Sequence, residues 1–255
     1  MSSIFHFTNA QNGFEILSKM KLQFNNVINT NDPWESKLRF FSICNLTGAG
    51  YADGISGLKN ILQDISAFNL LNDKSINLFK KFLVLCFTCS FNYNNRRVHG
   101  YNQPRMWSQY GENHKGFCFE VDEKKIIKLI VSSYSNNFIK YEKVTYKDKF
   151  EKIEYSLSIN GKFERFVDLH YKNIFFQKNI NWSDEHEYRI LIKSAQKIEV
   201  SINDCIKAIY VGENFNSAFI PLLDHYSGKL QVPIYKIISR DLFLDREFYN
   251  NFQCI

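Results

Sequence analysis

The apolar run FLVLCFTCSF, at residues 82–91, is the feature that most constrains the fold. It has the length of a strand, and its aromatic and β-branched residues favour a strand over a helix. We expect this strand to be buried, which requires other elements to cover it. The chain can supply that cover, because 45% of its residues are hydrophobic and 24 are Phe.

The rest of the chain alternates between strand and helix patterns. Strands are predicted at SIFHFT, MKLQFNNV, KGFCFEVD, IKYEKVTYK, HEYRILIK, KIEV, IKAIYVG and VPIYKII. Helices are predicted at NAQNGFEILSK (capped by Asn9 or Asn12), residues 55–82, one turn begun by Pro104, EKKIIKLIVSSY, residues 160–178 and SAFIPLLDHYS. With no repeat and no linker, residues 1–255 are predicted to form a single α+β domain, with mixed and mostly antiparallel sheets and flanking helices.

Charge and cysteine usage narrow the class of protein. Lys and Arg number 32 against 26 Asp and Glu, a net charge of +6 that is compatible with an anionic partner but does not require one. The 6 Cys include one C-x-x-C, Cys86 to Cys89, with no second ligand pair, so buried thiols are expected rather than a metal site. Without a signal-like segment or an apolar stretch of about 18 residues, we expect a cytoplasmic protein and no membrane partner.

Polar residues gather at two places near the N terminus. His6 and Thr8 lie two apart on the first predicted strand and therefore face the same side, where both can bind a ribose or an amide. A histidine satisfied within the core is the alternative. The predicted loop NTNDPWE contains the second group, Asn31, Asp32 and Glu35, because Pro33 and its polar neighbours favour a turn. A well-capped turn explains that group equally well.

Aromatic residues gather in MWSQYGENHKGFCFE. Trp107 and Tyr110 lie three apart and share one face of a helical turn. They predict either core packing or a stacking wall for a planar ligand, with His114 and Lys115 nearby as polar contacts.

Charged residues gather in NWSDEHEYRI, where Glu185, Glu187 and Arg189 alternate along a predicted strand and face one side. Tyr188 and Ile190 then face the core. The row is either a charged edge strand or a carboxylate held at the mouth of a cleft.

Several common catalytic motifs are absent from the sequence. It contains no G-x-x-x-x-G-K-[ST], G-x-G-x-x-G, H-E-x-x-H or G-x-S-x-G. These absences argue against ordinary P-loop, dinucleotide-fold, zincin and serine hydrolase chemistry. The remaining candidate chemistry depends on carboxylates and uses no evident metal.

The order of these motifs resembles the bacterial DUF2971 family, whose name carries no activity. The matching segments are FHFT, NDPWE, CFT, MWSQY with HKGFCFE, and W-x-x-E-x-E-Y-R from Trp182 to Arg189. The resemblance extends over most of the chain, and the combined spacing is more specific than any one segment.

A more distant resemblance connects His-x-Thr on a first strand, followed by a helix, with ADP-ribosyltransferase folds, including the branch of DNA-modifying toxins. It implies an ADP-ribosyltransferase-like fold with NAD as substrate. It also implies that Glu187, with Glu185 beside it, is the catalytic carboxylate, and that Tyr110 or Trp107 stacks on nicotinamide. The candidate NAD-binding residues are His6, Thr8, Asn31, Asp32, Trp107, Tyr110 and Arg189.

The expected function is therefore an NAD-dependent ADP-ribosyltransferase or NAD glycohydrolase of a bacterial toxin or antiviral defence system. The sequence does not distinguish between water, a nucleic acid and a protein as the acceptor. An antitoxin or defence partner is compatible with this function. One alternative is a metal-dependent nuclease that uses Asp32, Glu35, Glu185 and Glu187. Another is a non-enzymatic nucleotide-binding sensor or partner subunit that uses the aromatic wall.

Overall fold

The strand predicted from the long apolar run lies at the centre of the fold. The structure, a computed structural model, describes residues 2–32, 41–44, 73–150, 153–156, 163–240 and 243–248. Phe82–Cys89 forms this strand, and all of its residues except Cys86 are buried. The prediction of a buried strand is confirmed.

The strands are β1 (Ser3–Thr8), β2 (Lys21–Gln23), β3 (Asn25–Asn26), β4 (Phe41–Cys44), β5 (Phe82–Cys89), β6 (Phe91–Tyr93), β7 (Arg96–Val98), β8 (Phe117–Asp122), β9 (Ile139–Lys143), β10 (Thr145–Lys147), β11 (Ile153–Ser156), β12 (Gln177–Asn179), β13 (Glu187–Lys193), β14 (Glu199–Ser201), β15 (Ile206–Val211), β16 (Ile234–Arg240) and β17 (Phe243–Phe248). The helices are α1 (Ala10–Lys19), α2 (Pro104–Gln109), α3 (Glu123–Ser133), α4 (Phe163–Leu169), α5 (Tyr171–Phe175) and α6 (Ile220–Leu230). Residues 73–79 are also helical, and 3₁₀ turns span Val27–Asn29, Ile180–Glu185 and Ser217–Phe219.

A central sheet of nine strands organises the domain. Its strand order is β17-β16-β15-β8-β1-β5-β13-β9, and β3 also pairs with β5. The β15–β16 pair is parallel, whereas the pairs on either side of β1 and β13 are antiparallel. The described residues therefore form an α+β domain with mixed and mostly antiparallel sheets, as predicted.

The two faces of the central sheet carry different cores, because side chains alternate along each strand. The first face carries Ile4 and His6 of β1, and α1, α3 and α6 cover it with Ile16, Leu17, Ile126, Ile130 and Leu223. The second face carries Phe5 and Phe7 of β1. Residues of α2, α4 and α5 cover parts of it, namely Met106, Trp107, Phe163, Val167, Ile174 and Phe175.

Local patterns explain most of the elements. Asn9 caps α1 by accepting a hydrogen bond from the backbone N–H of Asn12, and Pro104 is the first residue of α2. The left-handed backbone of Asn94 and Asn95, with φ of 46° and 61°, closes the β6–β7 hairpin. That hairpin and β17 were not predicted from the sequence.

Two predicted helices differ from the structure. Residues 160–178 were predicted as one helix, but they contain α4, α5 and the start of β12 within the described part of that range. Pairing of β12 with β10 outweighs the helical periodicity, since Thr145 lies opposite Gln177 in a parallel ladder. Of the helix predicted at 55–82, residues 55–72 lie outside the described residues, as do Pro33 to Glu35 of the predicted loop. Residues 82 and onward belong to β5.

The central sheet opens between β1 and β5. These strands pair only at Ile4↔Cys89 and Phe5↔Thr88, whereas β1 pairs with β8 along its whole length. At its other end β5 pairs with β3, through Val84 and Leu83. The interval between these two ladders is where the sheet admits a cavity.

None of the helices among the described residues combines the length and the apolar composition that a membrane crossing requires.

Candidate functional site

A cavity of about 450 Å³ lies at the opening between β1 and β5. Side chains of β1, β5, α1 and the segment from Lys21 to Asn31 line it, together with Met106 and Tyr110. Lys178, Glu185, Glu187 and Arg189 also line it. The cavity thus combines apolar walls with a group of charged residues, which is the usual character of a small-molecule site.

The four charged residues form the buried charge cluster, defined here as Lys178, Glu185, Glu187 and Arg189. Each of them is 5% exposed or less. The Lys178 ammonium donates to Glu185 Oε2 at 2.6 Å and lies 2.9 Å from Glu187 Oε2. Arg189 binds Glu187 through Nε at 2.6 Å and Nη2 at 3.0 Å, and its Nη1 donates to the Phe175 carbonyl at 2.7 Å. Two positive and two negative side chains therefore balance inside the protein, which such burial requires.

The turn before β13 brings the two glutamates together. Glu185 was predicted to lie on the strand with Glu187, but it is the last residue of the 3₁₀ turn Ile180–Glu185, and β13 begins at Glu187. Between them His186 has a left-handed backbone with φ of 44°, and its ring stacks on Phe91 at 3.7 Å. The carboxylates converge because of this turn and not because of strand alternation.

Glu185 is held by neutral and charged donors. The Tyr110 hydroxyl donates to Glu185 Oε1 at 2.6 Å, and the Thr88 hydroxyl donates to the Glu185 carbonyl at 2.7 Å. Burial raises the pKa of the Glu185 carboxyl, and the Glu187 carboxylate adds to this shift while Lys178 opposes it. Glu185 is therefore the carboxyl that takes up a proton more readily.

The pKa of Glu187 is shifted in the opposite direction. Burial alone would raise its pKa, but Arg189 and Lys178 outweigh burial and lower the pKa to about 2. The neighbouring Cys86 thiol also lowers the pKa of this carboxyl. On the backbone, the Glu187 N–H donates to the Tyr146 hydroxyl at 2.8 Å. Glu187 is consequently ionised at neutral pH and fixed in position.

His6 closes part of the opening between the strands. Its Nδ1 lies 3.0 Å from the Cys86 carbonyl of β5, and because a carbonyl can only accept, Nδ1 carries the proton in this bond. Burial lowers the pKa of His6. The ring is therefore neutral near neutral pH, and Nε2 is a hydrogen-bond acceptor. His6 satisfies a carbonyl that the separating strands leave unpaired, and it lines the cavity at the same time.

His6 and Thr8 face away from the charge cluster. Phe5 lies opposite Thr88, and Thr88 lies opposite Glu187, so Phe5 and Glu187 share the second face of the sheet. His6 and Thr8 alternate to the first face. Only the opening between β1 and β5 lets residues from both faces line one cavity.

The two aromatic residues of the predicted stacking wall, Trp107 and Tyr110, lie in different surroundings. Trp107 is 0% exposed, packs edge-on against Phe7 at 5.1 Å, and donates from Nε1 to the Tyr101 carbonyl at 2.7 Å. Its indole belongs to the core and does not line the cavity, in contrast to the predicted ligand contact. Tyr110, the residue after α2, does line the cavity. His114 and Lys115 do not lie on the cavity wall.

Of the two NAD-binding residues predicted in the N-terminal loop, only one lies on the cavity wall. Asn31 lines the cavity, whereas Asp32 is buried at 1% exposure and is not part of the cavity wall. Glu35, which completes the carboxylate set of the nuclease alternative, lies outside the described residues. Within the described ranges, no group of three or more His, Cys, Asp or Glu side chains is arranged to hold a metal ion.

Sequence reasoning missed four residues of the site: Lys178, Tyr146, Thr88 and Cys86. A lysine next to the apolar segment NIFFQ was a usable signal for Lys178, because a buried ammonium requires carboxylate partners. Cys86 and Thr88 were recognised only as parts of a buried strand. No local pattern indicated that the Tyr146 hydroxyl accepts from the backbone of Glu187.

Comparisons with known proteins cover the C-terminal part of this site. No curated protein and no solved structure matches the chain. Residues 106–190 match the model of a family described as "Protein of unknown function (DUF2971)". The matched segment includes Tyr110 and the whole charge cluster, and it excludes His6 and Thr8. The part of the chain from α2 into β13 is therefore similar to the DUF2971 family, in agreement with the resemblance seen in the motifs.

Proposed function

We propose that this chain cleaves the bond between nicotinamide and ribose in NAD, as an ADP-ribosyltransferase or NAD glycohydrolase. The observation that best supports the proposal is the shared cavity. His6 and Thr8 of β1 line the same space as Glu185 and Glu187, although β5 lies between β1 and β13. One ligand in this cavity can therefore contact both the polar side chains of β1 and the carboxylate pair.

The polar lining of the cavity suits a nucleotide. Besides the hydroxyl of Thr8, it includes carboxamides, which can bind a base edge, a nicotinamide amide or ribose hydroxyls. These carboxamides belong to Asn12, Gln23, Asn25, Asn29 and Asn31. The side chains of Lys19 and Lys21, which also line the cavity, are 50% and 51% exposed. They pair with Glu15 and Glu199, which line the same cavity, and because such solvated ion pairs are weak, both ammonium groups can exchange to the phosphates of NAD.

The two carboxylates suit different steps, because their surroundings shift their pKa values in opposite directions. Glu187, with a pKa of about 2, remains an anion and stabilises positive charge on the ribose. Glu185, with a raised pKa, is suited to take a proton from the acceptor. Because Lys178 and Arg189 neutralise the cluster overall, its field acts at short range, and the ribose must contact the carboxylates directly.

The proposed reaction balances without a further reactant. The C–N bond breaks with its electron pair passing to the pyridinium nitrogen, so nicotinamide leaves as a neutral molecule. The ribosyl carbon, left with oxocarbenium character, forms a bond to an oxygen or nitrogen of the acceptor. The acceptor's proton passes to Glu185 and then to solvent. Water as acceptor gives ADP-ribose, and a macromolecular acceptor gives an ADP-ribosylated product.

The nuclease alternative is less well supported by this geometry. Lys178 and Arg189 already balance the charges of Glu185 and Glu187, so a divalent metal ion would add unbalanced positive charge to the buried cluster. The sensor alternative fits the same cavity, and it differs from the proposal because it requires binding without release of nicotinamide. A role in a toxin or antiviral defence system, with an antitoxin or another partner, stays a prediction from the resemblance.

Nicotinamide release from NAD is the deciding measurement. The purified protein is incubated with NAD, in the presence and absence of EDTA, and nicotinamide is quantified by chromatography. Glu187→Gln preserves shape but leaves Lys178 and Arg189 opposed by Glu185 alone, so it is expected to lower stability. In the fraction of protein that circular dichroism shows to be folded, release is expected to fall by about 100-fold or more. EDTA is expected to have no effect.

Glu164→Gln is the matched control, because this glutamate is 54% exposed on α4 and pairs with Lys193 away from the cavity. It is expected to release nicotinamide at the wild-type rate. Binding of NAD without release by the wild-type protein would support the sensor alternative. Equal rates for wild type and a folded Glu187→Gln protein would refute the assigned role of Glu187.

A further inference from the structure

A continuous row of stacked rings crosses the second face of the central sheet near β15, β16 and β17. His99 stacks on Tyr101 at 5.3 Å with an interplanar angle of 8°, and Tyr101 stacks on Tyr210 at 4.4 Å and 16°. Tyr210 stacks on Tyr235 at 5.4 Å and 21°. Phe248 completes the row, 4.7 Å from Tyr235 and tilted by 42°. We call this row, together with Arg246, the aromatic–arginine surface.

Strand register produces the row. Tyr210 of β15 lies opposite Tyr235 of β16, and Tyr235 lies opposite Phe248 of β17. Residues that are opposite one another share a face and lie within reach of side-chain contact. The surface is therefore built on paired strands, and its geometry does not depend on the conformation of a long loop.

Arg246 lies over three of these rings. Its guanidinium carbon is 4.4 Å from the centroid of Tyr235, 5.2 Å from Tyr101 and 5.9 Å from Tyr210. Its Nη1 donates to the Tyr210 hydroxyl at 2.8 Å, and that hydroxyl donates to Glu120 Oε2 at 2.7 Å. The guanidinium is thus fixed above the row by aromatic and hydroxyl contacts, and its positive charge is available to a ligand.

The middle of the row is buried, with Tyr210 at 0% and Tyr101 at 7% exposure, and the two ends of the row face solvent. Phe248 is 56% exposed, and His99 is also exposed. The β6–β7 hairpin, which precedes His99 in the chain, carries Tyr93, which is 65% exposed, and the exposed side chain of Arg97. Partial burial of the His99 ring lowers its pKa, and the charges of Arg97 and Arg246 lower it further. His99 is therefore a neutral ring at neutral pH.

We propose that the aromatic–arginine surface binds single-stranded nucleic acid. The exposed rings of His99 and Phe248 at the two ends offer stacking platforms for unpaired bases. Arg97 and Arg246 offer charge to the backbone phosphates. A duplex keeps its base faces covered, so it can use only the charge. Charge complementarity favours this occupant, because no carboxylate among the described residues forms an ion pair with Arg97 or Arg246, whereas Arg240 on the neighbouring strand pairs with Glu247. This proposal requires no NAD chemistry and holds whether or not the cavity is catalytic.

Fluorescence anisotropy with a labelled single-stranded DNA of about 16 mixed-sequence nucleotides, without NAD, tests the proposal. The wild-type protein is expected to bind this strand, and a single-stranded RNA of the same sequence, more tightly than the duplex. Phe248→Leu keeps an apolar contact with Tyr235 and removes the ring, and it is expected to weaken binding about tenfold. Arg97→Ala is expected to reduce the slope of log affinity against log salt by about 0.7, the loss of one phosphate contact.

Two exposed positions elsewhere provide matched controls. Leu169, 69% exposed on α4, is changed to Ala, and the exposed Arg165 on the same helix is changed to Ala. Both controls are expected to bind the strand as the wild type does, and circular dichroism confirms that each variant is folded. Unchanged affinity in both Phe248→Leu and Arg97→Ala would overturn the proposal. Equal affinity for strand and duplex, or binding only to anionic lipid vesicles, would also overturn it.

Discussion

Replacing Lys178 by Met tests whether the buried charge cluster depends on the balance of its charges. The Lys178 ammonium is shared by Glu185 Oε2 at 2.6 Å and Glu187 Oε2 at 2.9 Å, and the residue is 3% exposed. Methionine fills a similar volume without charge, which leaves two carboxylates opposed by Arg189 alone. Removing one partner from a buried ion pair costs about 3–5 kcal/mol, so the free energy of unfolding is expected to fall by this amount at neutral pH.

The loss is expected to depend on pH in a definite direction. The pKa of Glu185 is already raised, and removing the ammonium that opposes this shift raises it further. A carboxyl whose pKa is raised by folding favours the folded state at low pH, and this contribution is lost as the pH rises from the unfolded pKa through the folded one. The loss of unfolding free energy in Lys178→Met, relative to the wild type, is therefore expected to be smaller at pH 5 than at pH 8.

Urea unfolding followed by circular dichroism at these two pH values measures both effects. Lys193→Met is the matched control, because Lys193 also binds two carboxylates, Asp168 and Glu164, but is 15% exposed, with Glu164 at 54%. Such a solvated pair contributes about 1 kcal/mol or less. The double variant Lys178→Met/Glu185→Gln is expected to recover part of the lost stability. A loss no larger than that of Lys193→Met, or one that grows on acidification, would show that Lys178 does not balance the buried carboxylates.

The remaining predictions concern single residues of the cavity and the core. Glu185→Gln is expected to spare nicotinamide release and to impair transfer to an acceptor, measured by product mass; equal effects on both would assign Glu185 to the cleavage step. His6→Ala is expected to weaken NAD binding in calorimetry and to cost about 1–3 kcal/mol in urea unfolding, because the Cys86 carbonyl loses its donor; unchanged affinity would make His6 purely structural. Trp107→Ala is expected to cost about 3–5 kcal/mol, since the ring is 0% exposed, and nucleotides should not quench the fluorescence of Trp107.

The unequal surroundings of Glu185 and Glu187 connect stability with the proposed chemistry. Arg189 and Lys178 keep Glu187 ionised, whereas Glu185 depends on the Tyr110 hydroxyl and on Lys178 alone. A change at Lys178 therefore alters Glu185 more than Glu187. For this reason Lys178→Met is also expected to shift the pH profile of acceptor transfer upward, in step with the pKa of Glu185.

Local patterns in the sequence were sufficient to predict most of the elements. Alternation and apolar runs predicted β1, β5, β8 and β13, and caps predicted the starts of α1 and α2. These patterns succeed because they depend on neighbours a few residues apart, where side-chain direction follows from backbone geometry alone. The same reasoning placed Glu187 and Arg189 on one face of one strand, where the structure has them.

Contacts between distant segments were decided only by the tertiary structure. The sequence placed His6 and Thr8 together on a strand, but it contained no sign that they would face away from Glu187 and still share its cavity. That arrangement depends on where the β1–β5 ladder stops, after Phe5↔Thr88. The point where the pairing of β1 with β5 ends depends on the twist of the sheet and on β3, which pairs with the other end of β5. Both are properties of the whole sheet.

Burial likewise could not be assigned from local spacing. Trp107 and Tyr110 lie three residues apart, yet Trp107 is in the core and Tyr110 donates to Glu185, 75 residues along the chain. The apolar segment before Lys178 favours its burial, but only the fold supplies the two carboxylates that make the buried ammonium stable. The sequence alone determined which side chains could do chemistry, and the tertiary structure decided which of them meet, because a buried charge is stable only where the fold brings its partner.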